Sequence, residues 1–379
     1  MEEWKKYCLS DIATIVTGKT PSTKNSELFD GGIHFVTPGD INKGYKHIYS
    51  TERTITEAGL LSVKGSTLVP NTVCVSCIGN LGYVGMTTMQ CVSNQQINSL
   101  VAKEGFDPDF IFYLMRSLWP VFKNFEGQST TLSILNKTLF SKIEVCVPPL
   151  KKQKQIACVL SSLDDKIELN NRINHNLEEQ VKALYKYWFV DFEPFKDEKF
   201  KDTEIGVIPE NWQTGKLSEL IEICYGKDHK KLHDGSIPVY GSGGLMRFVD
   251  KSIYDKESVL IPRKGTLNNV MYVDKPFWTV DTMFYSKSKV DNIIKYCHQY
   301  LLTQDLASMN AGSAVPSMTT DILNNLIVII PPSQIMATFD CIASSMYDEI
   351  SQRNEESLAL TKTRDSLLPQ LMTGRYIGY

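Results

Sequence analysis

The feature that most constrains the fold of this 379-residue chain is an internal repeat. The stretch WKKYCLSDIATIVTGK, from Trp4, recurs without a gap as WQTGKLSELIEICYGK, from Trp212. A second stretch, VPPLKKQKQIACVLSSLDDKIELNN from Val147, recurs as IPPSQIMATFDCIASSMYDEISQRN from Ile330. Self-similarity on this scale indicates that one structural plan is used twice. We therefore expect a globular block, a long helix, a second similar block and a second long helix.

Each predicted long helix begins at a Pro-Pro pair and continues in heptads. Proline lacks the N–H that the first helical turn leaves unbonded, so it is well suited to a helix start. Apolar residues spaced in heptads are typical of a coiled coil, although amphipathic helices packed on a globular core remain an alternative. The predicted seam of the first helix contains Ile156, Leu160, Leu163, Ile167, Asn170, Asn174, Leu177, Val181, Leu184 and Trp188. That of the second contains Phe339, Met346, Ile350, Arg353, Leu360 and Leu367.

Both seams turn polar in the same heptad, at Asn170 and Asn174 in one helix and at Arg353 and Ser357 in the other. A polar layer in an apolar seam costs stability but can fix the register of the helices. If a pseudo-twofold axis relates the two repeats, the helices run antiparallel and their polar layers can meet.

The expected fold class is α+β, with two similar globular domains alternating with two paired helices. The first domain is predicted over residues 1–147 and its helix over 148–195. A charged linker broken by Gly206 and Pro209 follows over 196–210. The second domain is predicted over 211–330, and the second helix with the C-terminal tail over 331–379.

One short stretch, ATIVTGKT at residues 13–20, fits a loose form of the nucleotide-binding P-loop. Its four middle residues contain no glycine, and Ile15 and Val16 are too stiff for a loop that wraps phosphates. The repeat has Asp228 in the place of Thr20. We therefore interpret both copies as a short helix, capped by Ser10 or Ser218 and stopped by Gly18 or Gly226.

Other catalytic patterns are incomplete. Cys74 and Cys77 form a C-x-x-C, but no second pair has zinc-ribbon spacing, and the flanking valines favour a strand with buried thiols. The VPPL and IPPS stretches lack the Asn or Asp and the aromatic residue of an amino-methyltransferase motif. The six histidines show no metal-ligand spacing. We predict a chain that has no catalytic residues and binds no metal.

Composition sets broad limits. The net charge of −3 does not favour strong nucleic-acid binding by the whole chain. No apolar run approaches the roughly 20 residues of a membrane span, and the N-terminus has no signal-peptide pattern. Nine cysteines at irregular spacings do not indicate a disulfide framework. These features predict a soluble, cytoplasmic protein.

The chain resembles the specificity subunits of Type I restriction-modification enzymes over essentially its whole length. The resemblance rests on the tandem repeat, the Pro-Pro helix starts and, in this order, VTPGDI, VSCIGNLGYVG, EIGVIPENW, VYGSGGL and PQLMTGR. It implies two target-recognition domains, each reading one half of a split double-stranded DNA site. It also implies that the helices separate these domains and form a platform for two modification subunits.

The resemblance further implies that the chemistry belongs to partner chains. S-adenosylmethionine would serve the modification subunits, and ATP and Mg would serve the restriction and translocase subunits, with no cofactor bound by this chain. Two other classes remain open: a coiled-coil adaptor without sequence-specific DNA binding, and a single-chain methyltransferase or nuclease.

Candidate DNA contacts are loop residues that look exposed and can donate hydrogen bonds or stack. An arginine such as Arg263 suits a guanine edge, whereas Gln and Asn suit adenine. In the first domain the candidates are Lys19, Thr20, Thr37, Asp40, Asn80, Gln95 and Gln96. In the second they are Lys227, Lys230, Lys231, Ser242, Arg263, Lys264, Thr266 and Asn268.

Overall fold

The computed structural model describes residues 4–41, 44–127, 133–309 and 317–373, so the last residues of the predicted C-terminal tail, 374–379, lie outside it. The first half of the described chain contains the following elements in order: β1 (Lys5–Cys8), α1 (Leu9–Ile12), β2 (Ala13–Thr17), β3 (Phe29–Val36), α2 (Pro38–Ile41), β4 (His47–Ile48), β5 (Arg53–Ile55), α3 (Glu57–Ser62), β6 (Thr67–Leu68), β7 (Val73–Ser76), β8 (Val84–Thr87), β9 (Cys91–Ser93), β10 (Ile97–Ala102), α4 (Pro108–Ser117), α5 (Trp119–Gly127), α6 (Lys137–Ser141), β11 (Glu144–Val147) and α7 (Leu150–Phe189).

The second half follows the same order with fewer insertions. Its elements are β12 (Phe200–Thr203), β13 (Gly206–Pro209), β14 (Gln213–Lys216), α8 (Leu217–Leu220), β15 (Ile221–Tyr225), β16 (Asp234–Gly241), β17 (Gly244–Val249), β18 (Ser258–Pro262), β19 (Met271–Val273), β20 (Trp278–Thr279), β21 (Met283–Ser288), α9 (Ile294–Leu302), α10 (Thr320–Asn324), β22 (Ile327–Ile330) and α11 (Ser333–Met372).

The sheets of the two domains share their main strand order, and each sheet of the first domain has one further edge strand. The first domain has a sheet of order β2-β10-β7-β8-β4, a sheet of order β5-β3-β9-β6 and the pair β1-β11. The second has the orders β15-β21-β18-β19 and β17-β16-β20, with the pair β14-β22. In each domain the pair joins the first strand to the last one before a long helix. The predicted α+β repeat is confirmed at the level of individual strands.

The repeated Gly-Lys stretch differs from its predicted form. It folds as one helical turn, α1 or α8, followed by a strand, β2 or β15, and not as a single capped helix. Ser10 and Ser218 lie inside the helical turns, whose N-caps are Cys8 and Lys216. The β-branched residues after the turn pair with β10 or β21, because that strand offers them a complete hydrogen-bond ladder. A strand in this place cannot wrap phosphates.

The predicted linker is also ordered. Residues 200–209 form the hairpin β12–β13, in which Gly206 takes a positive φ of 113° at the turn and Pro209 ends the second strand. Ile208 is only 1% exposed and belongs to the core of the second domain. The charged residues in the sequence of this segment hid its two short strands.

The chain divides into two compact units. One contains residues up to Asn171 and from Asn354 onwards, and the other contains Arg172–Arg353. Each long helix therefore gives one half to each unit. Within the described residues, no helix is both long and apolar enough to cross a membrane.

In the first unit the halves of α7 and α11 are antiparallel. Asp164 on α7 binds Arg364 on α11 over 2.6 Å. Farther along α7, the Asn170 amide donates to the Ser357 hydroxyl over 3.2 Å and to Glu356 over 2.8 Å. The partner numbers fall as the α7 numbers rise, so the antiparallel direction is confirmed. The polar positions Asn170 and Ser357 meet as predicted.

The ends of both helices also belong to the domain cores. Ile156 and Leu160 are buried in one hydrophobic cluster with residues from the sheets of the first domain. In the second unit, Val181 and Phe339 share a cluster with β15 and β18. The Phe339 ring lies 4.9 Å from Phe189, centroid to centroid. The two interpretations of the heptads, a helix seam and a face packed on a domain, therefore both apply.

One helix contact, at corresponding positions of the two units, differs in charge. In the first unit the buried Asp164 accepts a hydrogen bond from Tyr113 over 2.7 Å and lies 3.7 Å from Arg116, besides binding Arg364. In the second repeat, Tyr347 corresponds to Asp164 and Gln299 corresponds to Arg116.

The contact in the second unit is neutral. The Gln299 amide donates to the Tyr347 hydroxyl over 2.8 Å. One position in the fold is therefore filled by an ionic network in the first unit and by neutral hydrogen bonds in the second.

His298, on α9, gives the second unit a predictable pH dependence. Its Nδ1 lies 2.6 Å from the Tyr347 hydroxyl, and burial lowers its pKa from the usual 6.5 to about 4. Between pH 6.5 and about 4, His298 takes up a proton in the unfolded chain but not in the folded chain. The free energy of unfolding therefore decreases as the pH decreases. From pH 7 to 5 we expect a loss of about 2 kcal/mol from this group.

The measurement is urea unfolding of wild type and His298→Gln at both pH values. The variant should lose about 2 kcal/mol less than wild type over this interval. The exposed His233, changed in the same way, serves as the control and should leave the loss unchanged. Equal losses in wild type and His298→Gln would contradict the assignment.

Candidate nucleic-acid interface

Several strand ends of the first domain meet at one place. They are the segments after β2, β3 and β7 and the turn between β9 and β10, together with Leu135. Six backbone N–H···O=C hydrogen bonds of 2.7–3.2 Å hold these segments together. Their donor and acceptor residues are Gly18 to Ile97, Lys19 to Ser93, Cys77 to Gln96, Asn94 to Val36, Ile97 to Asn94 and Leu135 to Cys77. We call this group, residues 17–20, 36–37, 77–80, 93–97 and 135, the first strand-end frame.

The second domain contains the same six bonds at corresponding residues. Their donor and acceptor residues, in the same order, are Gly226 to Met283, Lys227 to Thr279, Arg263 to Thr282, Val280 to Tyr240, Met283 to Val280 and Met318 to Arg263, over 2.8–3.1 Å. The second strand-end frame therefore comprises residues 225–228, 240–242, 263–269, 279–283 and 318. The two frames agree in backbone bonding although few of their side chains agree.

The glycine of each Gly-Lys pair is required by close packing in the frame. A Cβ at Gly18 would lie 1.9 Å from the carbonyl oxygen of Asn94, and one at Gly226 would lie 2.1 Å from that of Val280. Any larger residue would push the strand ends apart. The Gly-Lys repeat in the sequence therefore marks this frame, and not a helix stop.

The side chains on the two frames differ in chemistry. Cys77 of the first frame corresponds to Arg263 of the second, and Gln95 corresponds to Asp281. Only Lys19 and Lys227 are the same cation in both. A constant backbone that carries different polar groups can bind two different partners with one geometry.

In the first frame most of the predicted residues are accessible. Lys19, Gln95 and Asn80 are exposed, and Thr20 and Gln96 are half-buried. The Thr20 hydroxyl donates to the Gln95 side chain, which links two strand ends.

Gln96 is held in place by a neighbour. Its side-chain oxygen accepts from the Asn94 amide over 2.9 Å, and its backbone amide donates to the Asn94 side chain over 3.0 Å. The structure thus brings Lys19, Thr20, Gln95 and Gln96 together.

Asp40 does not fit its prediction as an exposed loop residue. It is 6% exposed, and one of its oxygens accepts from both the backbone amide and the hydroxyl of Thr37, each over 2.8 Å. The other accepts from the amide of Glu52 over 3.0 Å. Asp40 positions the loop after β3, and Thr37 is its partner there. No pattern in the sequence indicated that backbone amides would surround this carboxylate.

Most of the predicted basic residues lie in the second frame or on the loop that continues from it. Lys227, Lys230 and Lys231 are exposed on the loop after β15. The Arg247 guanidinium holds this loop by donating to the carbonyls of His229 and Leu232, over 3.2 and 2.7 Å.

Asp228 shapes the start of the same loop. Its carboxylate accepts from the Lys230 backbone amide over 3.1 Å. That hydrogen bond keeps the Asp228 pKa below its usual range.

The remaining predicted residues of this domain divide into two groups. Lys264 and Thr266 are exposed, and Arg263 is half-buried with its guanidinium over a tyrosine ring. Ser242 is half-buried, and its carbonyl accepts from Asn269 over 2.8 Å.

Asn268 is exposed but already bonded. It donates to Asp305 over 3.3 Å and accepts from the amide of Ala307 over 2.9 Å. Asn268 therefore holds a neighbouring loop.

Three residues of the second frame were not predicted from the sequence. Tyr225 is 52% exposed, and Asp281 and Thr282 lie in the turn before β21. Tyr225 directly precedes the repeated Gly-Lys pair, so the repeat itself marked its position. Asp281 and Thr282 carry no motif, and only the strand pairing brings them to the frame.

The cysteine pair is buried, as predicted. Cys74 lies in β7 and Cys77 just after it, and burial raises the pKa of their thiols to about 11 and about 12. Neither thiol ionises near neutral pH, so this pair is not a thiolate site.

One group of possible metal ligands occurs among the described residues: His47, Asp165 and Glu168. The Glu168 carboxylate accepts from the His47 amide and ring, each over 2.8 Å, and from the Tyr49 hydroxyl over 3.1 Å. These bonds attach β4 to α7. Glu168 therefore serves as a packing contact of the first domain.

Comparison with known proteins decides the family. The sequence model described as Type I restriction modification DNA specificity domain matches residues 1–179 and 209–350, one match for each half. The chain belongs to this family. As a member of this family, the chain recognises a DNA sequence and has no catalytic role itself.

Individual relatives agree with this family over most of their length. The chain is 26% identical to the type I restriction enzyme MjaIX specificity subunit of Methanocaldococcus jannaschii, over 98% of this chain and 93% of that one. It is 23% identical to the MjaVIII specificity subunit of the same organism, over 99% and 93%. In fold it resembles the S subunit of a type I restriction-modification system from M. genitalium, with a TM-score of 0.61, 17% identity and coverage of 98% and 96%.

Proposed function

We propose that the two strand-end frames are the surfaces with which this specificity subunit reads DNA. Each frame reads one half of a split double-stranded site. The observation that carries the proposal is the set of six matched backbone hydrogen bonds beneath different side chains. Backbone geometry fixes where a reading side chain is held, and the side chain determines which base edge it can bind.

The chemistry of the frames supports this proposal. Glutamine side chains such as Gln95 and Gln96 can donate to and accept from adenine at once, and arginine can donate twice to guanine. The second frame also carries exposed lysines suited to phosphates. The near-neutral net charge of the chain, −3, fits a subunit that binds DNA together with partner chains.

We also infer the partners of the assembled enzyme. Two modification subunits would dock on the paired helices, and restriction or translocase subunits would join that complex. S-adenosylmethionine, ATP and Mg would then be bound by those partners, and no cofactor by this chain. A complex that acts on cellular DNA works in the cytoplasm, where the nine cysteines of this chain would remain reduced.

The test of this function is a methylation map of cells that carry the chain with its modification subunit. The proposal predicts one split motif that disappears when the gene is deleted. A coiled-coil adaptor would leave the methylation pattern unchanged on deletion. A single-chain methyltransferase would label DNA from S-adenosylmethionine without any partner.

The basic loop after β15 should contribute affinity without sequence preference. The double variant Lys230→Ala, Lys231→Ala removes two cations and keeps the backbone bond from Lys230 to Asp228. If both contact phosphates, binding should weaken equally on all sequences, and the slope of log K against log salt should decrease by about 2.

Equilibrium binding of the complete complex at several salt concentrations measures this effect. Lys251→Ala with Lys256→Ala removes two other exposed cations from the same domain and serves as the matched control. An unchanged salt slope in the Lys230, Lys231 variant would remove the loop from the interface.

A further inference from the structure

Arg263 is held in the second frame by bonds on both sides of its backbone. It directly follows β18, which lies between β21 and β19 in the sheet. Its amide donates to the carbonyl of Thr282 over 2.8 Å, and its carbonyl accepts from the amide of Met318 over 2.8 Å. The backbone position of Arg263 is therefore held by hydrogen bonds at the end of the sheet.

The Arg263 side chain is also supported. Its guanidinium carbon lies 5.4 Å from the ring centroid of Tyr225, a distance typical of a cation–π contact. Its Nη1 donates to the carbonyl of Asp281 over 3.2 Å. The Tyr225 ring is itself supported edge-on by Phe284, with the ring centroids 5.1 Å apart.

The contacts with Tyr225 and Asp281 leave most N–H donors of the Arg263 guanidinium available to bind DNA. The contact with Asp281 takes one of the five N–H donors that a guanidinium carries. A planar group with two parallel donors matches the O6 and N7 acceptors of guanine in the major groove, which lysine cannot do in the same way. Stacking on a partly exposed tyrosine restrains the rotamers of the side chain before DNA arrives.

At the corresponding positions the first frame has no such pair. The residues that correspond to Arg263 and Tyr225 are Cys77 and Thr17. Cys77 is buried, and the Thr17 hydroxyl donates to the Asn98 side chain over 2.8 Å. Whatever the first frame binds, it does not use an arginine stacked on an aromatic ring at this position.

We propose that Arg263, oriented by Tyr225, reads one guanine in the half-site of the second domain. This inference rests on the proposed function, since it assigns one base of the site to one residue. Arg263 is the specificity-determining group, and Tyr225 is its positioning residue. The half-site of the first domain lacks an equivalent contact.

The experiment uses the complete complex with its modification subunit and compares Arg263→Ala with wild type. Methylation rates are measured on duplexes that carry each base at every position of the motif. In Arg263→Ala, discrimination at one G·C pair of the second half-site should fall about ten- to hundredfold, with every other position unchanged. Tyr225→Phe should keep the discrimination, because the ring remains, and Tyr225→Ala should weaken it.

Two controls make the result decisive. Lys256 is exposed and lies just before the opposite end of β18, so Lys256→Ala should leave all positions unchanged. Arg263→Lys keeps the charge, and we expect it to lose discrimination but retain most of the affinity.

Two results would overturn the assignment: equal loss of rate on all sequences in Arg263→Ala, or no change at any position. Failure of the proposed function would look different, because wild type would then show no split motif at all.

Discussion

Replacing Arg364 with methionine should destabilise the first unit by about 3 kcal/mol. Arg364 is 5% exposed and binds the buried Asp164 on the other long helix over 2.6 Å. Burial in the seam opposes the charge of Arg364, but the carboxylates of Asp164 and Asp365 outweigh it and raise the pKa of the guanidinium above its usual value. Methionine fills a similar volume but leaves Asp164 with only Tyr113 and the more distant Arg116.

Hydrogen exchange followed by mass spectrometry is the suitable measurement, because it localises the loss. Amides of α11 after Asn354 and of the first half of α7 should exchange roughly a hundred times faster, and α9 should not change. Ser366→Met puts the same residue at an exposed position of the same helix and should have little effect. If Arg364→Met exchanged like wild type, the ion pair would not be the contact that stabilises this seam.

The repeat predicted the most about the fold. The two domains, the two helices that follow the Pro-Pro pairs and their antiparallel direction all came from it. Heptad spacing identified the seam, because a helix must keep one apolar face toward its partner. The meeting of Asn170 with Ser357 followed from the same symmetry.

Local structure in the repeated Gly-Lys stretch could not be predicted in the same way. The residues of β2 follow a helical turn so closely that the apolar spacing fits a helix or a strand. Pairing with β10, more than eighty positions later in the chain, decides in favour of the strand. The hairpin at 200–209 was hidden for a similar reason, since its strands gain their stability from packing of Ile208 in the domain core.

The candidate site could be predicted in part. Polar loop residues such as Lys19 and Gln95 were correctly expected to be exposed, and loops commonly bind partners. The burial of Asp40 and the hydrogen bonds of Asn268 could not be predicted from the sequence, because several of their partners are backbone groups. Tyr225 was missed since a tyrosine at a strand end is as often a core residue.

Exchange of the second domain for that of a relative should change one half of the recognised DNA site and leave the other half intact. The exchange is best made at Gln213 and Ile330, which are paired partners in β14 and β22, so both cuts fall at one place in the fold. Each wrong base pair costs about 1–3 kcal/mol, so the original half-site should lose its methylation. The first frame is untouched by this exchange.

Separate reading by the two frames is measured most directly by methylome sequencing of cells that carry this chimera with the original modification subunit. Independent reading by two frames predicts a split motif in which the bases of one half are new and those of the other half are those of wild type. Exchange of the second domain for itself, with the same cloning junctions, controls for the cuts. Changes in both halves, or an unchanged motif in an active complex, would show that the two frames do not read the half-sites separately.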